Sequence, residues 1–169
     1  MAAMASGMAT DKPAASPLQL EQFLTYRLHL VNKLTDKHSS DAYAKELGLA
    51  VGEARCLAAI GNVLGNALSN DASSKKSLSI NELAAGANLN KAQASRAAQA
   101  LVARGLAHKG NNEADGRGVA VSLTDAGAAL WQQVMALIAQ RNESIFSCLT
   151  ETEKAQLGRM LDKIAQNAR

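Results

Sequence analysis

The sequence predicts a mainly α-helical fold with a small antiparallel β wing, and three observations lead there. Of 169 residues, 47% are hydrophobic but only 3% are aromatic, and Ala and Leu dominate. Such a chain packs helices closely through small side chains and lacks the Val, Ile, Tyr and Phe content that a sheet-rich fold wants. Two helix-start signals, Ser79-x-x-Glu82 and Asn90-x-x-Gln93, stand close together, each with the spacing of a capping box. Beyond them, two strand-like runs at 106–109 and 119–123 flank a polar, glycine-rich tip at 110–118 that carries Arg117. Two helices joined by a tight turn and followed by a hairpin make a winged helix-turn-helix.

Each element has its own signal. Residues 18–36 read as a helix because Leu20, Phe23, Leu24, Leu28, Leu30, Val31 and Leu34 share one broad face at helical spacing. A short helical piece at 41–47 stops at Gly48, and the next helix, 52–64, carries the stripe Cys56, Leu57, Ile60, Val63 and Leu64. Residues 65–77, with Asn, Asp, Ser, Lys75 and Lys76, read as a loop. The first capping box opens a helix through Leu83, Ala84 and Ala87. The second opens 91–104, after a junction of about two residues, and Gly105 suits the left-handed position past its end. Thr124 caps a long helix running to Cys148, with Leu130, Trp131, Val134, Leu137, Ile138, Ile145 and Phe146 at helical spacing. Thr150-x-x-Glu153 starts the last helix through Leu157, Leu161 and Ile164. The long helix would extend about 36 Å, more than a compact winged domain needs to cover itself. Its stripe, with those of the first and last helices, is therefore expected to bury against a second copy about a twofold axis.

Composition narrows the function classes. A net charge of +3 is a mild bias, so its local placement matters more than its size. Cys56 and Cys148 stand alone among apolar neighbours, without a CxxC or Cys/His grouping, so neither a metal site nor a disulfide scaffold is expected. His29, His38 and His108 lie on different elements, and no phosphate-cradling glycine loop or Ser/His/Asp grouping is present, so the chain reads as no enzyme and needs no cofactor. No apolar run approaches the ~18 residues that span a bilayer. Residues 1–17 read as a disordered tail and not a signal peptide, and a cytoplasmic setting is expected.

The helix at 91–104 would turn Gln93, Arg96 and Gln99 outward, with Lys91 and Ser95 near its start. Ala94, Ala97, Ala98, Leu101 and Val102 would form its inner side, and no acidic residue lies between Asn90 and Arg104. Gln can pair with adenine, Arg with guanine and Ser with phosphate, and the helix start itself favours a phosphate. A solvated helix face is the bland alternative. Arg117 sits between two glycines with Asp115 two residues before it, and an arginine so placed can enter a narrow minor groove. An ordinary surface ion pair is its alternative. The candidate DNA-contacting residues are thus Asn90, Lys91, Gln93, Ser95, Arg96, Gln99, Asp115 and Arg117.

These motifs resemble those of the MarR family of bacterial regulators. The resemblance rests on Leu49-x-x-x-Glu53-x-Arg55-x-Leu57, Ser95-Arg96, Gly105-Leu106, Asp115-Gly116-Arg117-Gly118 and Leu123-Thr124-Asp125-Ala126-Gly127, and it covers residue 18 to the C-terminus. It implies dimerisation helices at 18–48 and 124–169 around a DNA-binding domain at 49–123. It also implies a homodimeric repressor of a pseudo-palindromic duplex operator, released by a small ligand. Ala50 departs from the Ser or Thr helix cap frequent in the family, and the 66–77 loop is longer than usual.

In that family the ligand commonly sits between the dimerising helices and the winged domain. Arg27, centred on an apolar stripe, must find an anion there, either Glu53 or a ligand carboxylate. His29, Asn32 and Arg55 are the further candidates for effector contact. Tyr26-Arg27-Leu28 and 52–57 resemble regulators of aromatic-acid catabolism, which implies an aromatic carboxylate as effector. The alternatives are a redox-responsive regulator of the same family and a winged helix that serves protein association without binding DNA.

Overall fold

A computed structural model describes residues 19–70, 77–111 and 119–168, without the side chains of 66–70 and 111. The expected tail at 1–17, the loop lysines Lys75 and Lys76, and the hairpin tip with Asp115 and Arg117 lie outside the described residues. The chain divides into two units, one up to Leu34 and one from Thr35 onward.

After a 3-10 turn at Leu20–Gln22, helix α1 runs Leu24–Leu47. It is one helix, where the sequence predicted two with a break at 37–40. The polar run there contains no Gly or Pro, and Ser39 Oγ donates to the Thr35 carbonyl one turn back at 2.8 Å, which satisfies the hydroxyl without interrupting the helix. Gly48, at φ +60, ends it. Helix α2 spans Val51–Asn70 and so continues through half of the predicted loop.

In the unit from Thr35 onward, strand β1 (Leu78–Ser79) leads into α3 (Ile80–Gly86), then α4 (Lys91–Ala103), β2 (Ala107–Asn111), β3 (Val119–Leu123), α5 (Asp125–Phe146) and α6 (Glu151–Asn167). The sheet is antiparallel in the order β1-β3-β2, with Ala107 opposite Leu123 and Asn111 opposite Val119. Strand β1 was not predicted, since two residues are too few to show alternation. Leu78 and Ser79 nevertheless pair with Val121 and Ala120 and make β3 the central strand.

The three predicted capping boxes all form. Each reciprocal pair joins a cap residue to the side chain three positions on: Ser79 with Glu82, Asn90 with Gln93, and Thr150 with Glu153. The junction between α3 and α4 holds four residues, 87–90, longer than the two expected. Asn88 takes the left-handed conformation at φ +51, one that Asn tolerates, and the Leu89 N–H reaches back to the Ala84 carbonyl at 2.9 Å. That closure is the Schellman pattern. It turns Leu89 against the core and aims α4 across α2.

The core is built where small residues allow close approach. Leu49, Cys56, Leu57, Ile60, Leu83, Leu101, Val121 and Val134 are fully buried. The inner face of α4 is Ala94, Ala97, Ala98 and Leu101, as the periodicity predicted. A Cβ placed on Gly61 would run into the Trp131 indole, so this glycine is what lets α5 lay its one tryptophan on α2. Gly127 opens α5 directly against the Leu106 carbonyl, with the same consequence for any side chain there.

Candidate nucleic-acid interface

The α3–turn–α4 unit presents one polar side. Asn90, Lys91, Gln93, Arg96 and Gln99 are exposed, Ser95 is half-buried, and Ala94, Ala97 and Ala98 of the same helix face inward. Two of these side chains also form the predicted cap of α4. Asn90 Oδ1 accepts from the Gln93 N–H at 2.8 Å, and Gln93 Oε1 accepts from the Asn90 N–H at 3.0 Å. Gln93 Oε1 thus already accepts one bond in the cap and keeps one lone pair, while its NH2 takes no part in the cap. Arg96 and Gln99, the residues further along the same face, carry no such duty in the cap. Beside them the β2–β3 ladder runs from Ala107–Leu123 at its base to Asn111–Val119. The chain between Asn111 and Val119 holds Asp115 and Arg117, so the hairpin is in place while its tip lies outside the described residues.

The orientation of α4 depends on residues that DNA need not touch. Ala50 supplies no capping side chain, and Glu53 replaces it, its Oε2 accepting from the Ala50 N–H at 3.2 Å. The same oxygen accepts from Arg104 Nη1 at 2.9 Å, and Nη1 also donates to the Gly48 carbonyl at 3.0 Å. Arg104 therefore ties the end of α4 to the start of α2. The sequence reading missed this role; its only trace is an arginine at the end of a basic helix and a glutamate three residues past an uncapped helix start.

The four predicted effector residues are distributed over both units. Arg27, His29 and Asn32 lie on the first part of α1, all exposed, with Arg27 Nε donating to the Glu21 carbonyl at 2.9 Å. Arg55 lies on α2, where its Nη2 meets Asp36 Oδ1 at 2.6 Å. Glu53, the internal anion offered for Arg27, is instead the partner of Arg104. The cysteines also separate: Cys148 is exposed, while Cys56 is buried and its thiol is pushed up to about 11 by burial first and the nearby Glu53 second. Among the described residues no group of three His, Cys, Asp or Glu side chains could hold a metal ion. No single described helix is long and apolar enough to cross a membrane.

The model of the MarR family matches residues 47–118, from the end of α1 through the hairpin tip. Over that segment the chain is similar to the MarR family. MarR proteins of known structure share its fold. A MarR/EmrR family regulator from Acinetobacter sp. ADP1 aligns with a TM-score of 0.74 at 21% identity, covering 89% of this chain and 98% of the other. A cysteine variant of MarR from E. coli, solved with operator DNA, aligns at 0.66 and 26% identity over 83% and 92% of the two chains. BpsR of Bordetella bronchiseptica, whose DNA binding is described as regulated by 6-hydroxynicotinic acid, aligns at 0.73 and 19% identity over 88% and 97%. No curated protein sequence matches the chain. MarR proteins are transcriptional regulators and not enzymes, and the winged helix-turn-helix described above is the fold that this chain shares with them.

Proposed function

We propose that this chain is a homodimeric repressor of the MarR family that reads a pseudo-palindromic operator and is released from it by a small aromatic acid. The observation that carries the reading is the polar side of α4, cationic at Lys91 and Arg96 and free of carboxylates from Asn90 to Arg104, beside a hairpin whose tip contains Arg117. A helix of this kind fits the major groove, and an arginine-tipped wing fits the adjacent minor groove. In this reading Lys91 and Ser95 hold phosphates, Arg96 and Gln99 read bases, and Asp115 orients Arg117. The operator complex of the E. coli relative and the organic acid named for BpsR support the duplex and the effector class respectively. A thiol switch at Cys56 is disfavoured, because a buried thiol held near 11 is a poor nucleophile at neutral pH.

The test is a titration of the full-length protein onto duplex from upstream of its own gene, at several salt concentrations. Specific binding should fall steeply with salt. Arg117→Ala should lower operator affinity by about tenfold or more, with fold and dimer retained. Arg96→Ala should narrow the gap between operator and unrelated duplex, whereas a uniform loss would assign it to phosphate. Absence of duplex binding at low salt would overturn the reading.

A further inference from the structure

We propose that Arg55 and Arg141 together clasp helix α1 at Thr35–Asp36, and that this clasp fixes the half-site spacing the protein accepts on DNA. The two arginines reach the same turn of α1 from different helices. Arg55 of α2 donates through Nη2 to Asp36 Oδ1 at 2.6 Å, and Arg141 of α5 donates through Nη2 to the Thr35 carbonyl at 3.2 Å. The Arg141 guanidinium carbon also stands 5.8 Å from the centre of the Tyr43 ring, two turns further along α1, within the range of a cation–π contact. Packing does not supply this hold. Among the described residues, those of α1 that join the core are Ala42, Tyr43 and Leu47, all nearer its C-terminal end. At Thr35 and Asp36, both half-buried, the contacts are polar and directional.

Arg55 stands two residues from Glu53, which holds Arg104 at the end of α4. Side chains two residues apart point about 200° apart around a helix, so the first turns of α2 are tied to α1 on one side and to α4 on the other. The Arg55 and Asp36 side chains are 32% and 42% exposed, and a pair so open to water adds little net stability. What a short directional bond adds is register. In the proposed dimer, on which this inference rests, α1 carries the apolar stripe that the second copy would cover. Whatever holds α1 against α2 then enters the separation of the two α4 helices. One base pair more or less between half-sites displaces the second by about 3.4 Å and turns it by about 35°. A clasped dimer cannot follow that change, and an unclasped one can. Asp36, Arg55 and Arg141 are thus positioning residues for DNA reading, acting through α2 and touching no base.

The test uses the full-length protein on duplex from upstream of its own gene, with the spacer between the footprinted half-sites lengthened or shortened by one base pair. The wild type should lose about tenfold or more in affinity at either changed spacing, since a rigid dimer then engages only one half-site well. Arg55→Gln and Asp36→Asn should each cut that loss to about threefold or less, and exchanging the pair, Asp36→Arg with Arg55→Asp, should restore it. Arg141→Gln removes the other arm alone and decides the matter if the first two variants fail to fold. Affinity lowered equally at all three spacings would assign these residues to stability only and overturn the clasp, as would an undiminished spacing loss. Failure of the regulator reading shows separately, as absence of duplex binding by the wild type at low salt. The clasp is then decided without DNA, by the distance between nitroxides placed on the two copies through Ala103→Cys in a Cys148→Ser background. That distribution should be narrow in the wild type and broad in Arg55→Gln; equal widths would overturn the proposal.

Discussion

Cys56 shows how much one residue's surroundings decide. Its side chain is fully buried, and its thiol ionises only near 11, against an ordinary value of 9.0. The unfolded chain loses that proton first as pH rises, so the stability associated with the protonated thiol is complete below about 9 and is lost as pH climbs through about 11. We expect the folding equilibrium to weaken by up to roughly tenfold per pH unit across that window, and Cys56→Ala to remove that part of the slope in urea titrations. In the native protein a thiol reagent should modify Cys148 quickly and Cys56 only on unfolding. Gly127 is a second position where one atom decides. The Leu106 carbonyl lies where its Cβ would be, and that carbonyl also accepts from the Thr124 N–H at 3.2 Å. Gly127→Ala should therefore cost about 1–3 kcal/mol, read as a lowered thermal midpoint; an unchanged midpoint would mean that the wing and α5 separate freely. Both features have sequence signals, an apolar-flanked cysteine and a glycine in a helix's first turn, but the burial of the first and the carbonyl that meets the second are set by packing that those signals do not show.

Among the elements, α4 owes its position to contacts at both ends. The Asn90–Gln93 box fixes its start, and Arg104 fixes its end through Glu53 and Gly48. Glu53 is largely buried, with its side chain 16% exposed, so the pair is expected to be worth more than a surface ion pair, about 1 kcal/mol or somewhat above. Glu53→Gln and Arg104→Ala should each weaken operator binding several-fold, and their combination should add little, as expected for one shared contact. If Arg104 acts by position, the salt dependence of binding stays unchanged in both variants. A slope lowered by about one in Arg104→Ala alone would make it a phosphate contact. Capping boxes were legible because their spacing is local. The continuity of α1 through 37–40 and the existence of β1 were not, since the first depends on Ser39 satisfying its own helix and the second on a strand distant in sequence.

At the scale of the whole molecule, the apolar residues that cover nothing are the informative ones. Leu20, Phe23, Leu24, Leu28, Leu30, Val31 and Leu34 are 42–71% exposed, and on α6 Met160, Leu161 and Ile164 are 41–54% exposed. Stripes of this extent are costly in water, and the proposed homodimer would cover them. We expect Leu28→Asp and Leu161→Asp to shift the protein from dimer to monomer in sedimentation experiments and to weaken operator binding by at least tenfold. Two half-sites about 34 Å apart need two linked recognition helices. A chain that remains dimeric in both variants would place the interface elsewhere.

The amino-acid order alone determined the helix caps, the apolar stripes, the small-residue face of α4 and the family motifs, because these depend on residues within one or two turns of each other. Tertiary structure decided the partners of the charged side chains. Arg104 takes Glu53, Arg55 takes Asp36, and Arg141 settles between Thr35 and Tyr43. A long cationic side chain can reach any of several carboxylates, and only the packing of helices far apart in sequence determines which of them is within bonding distance.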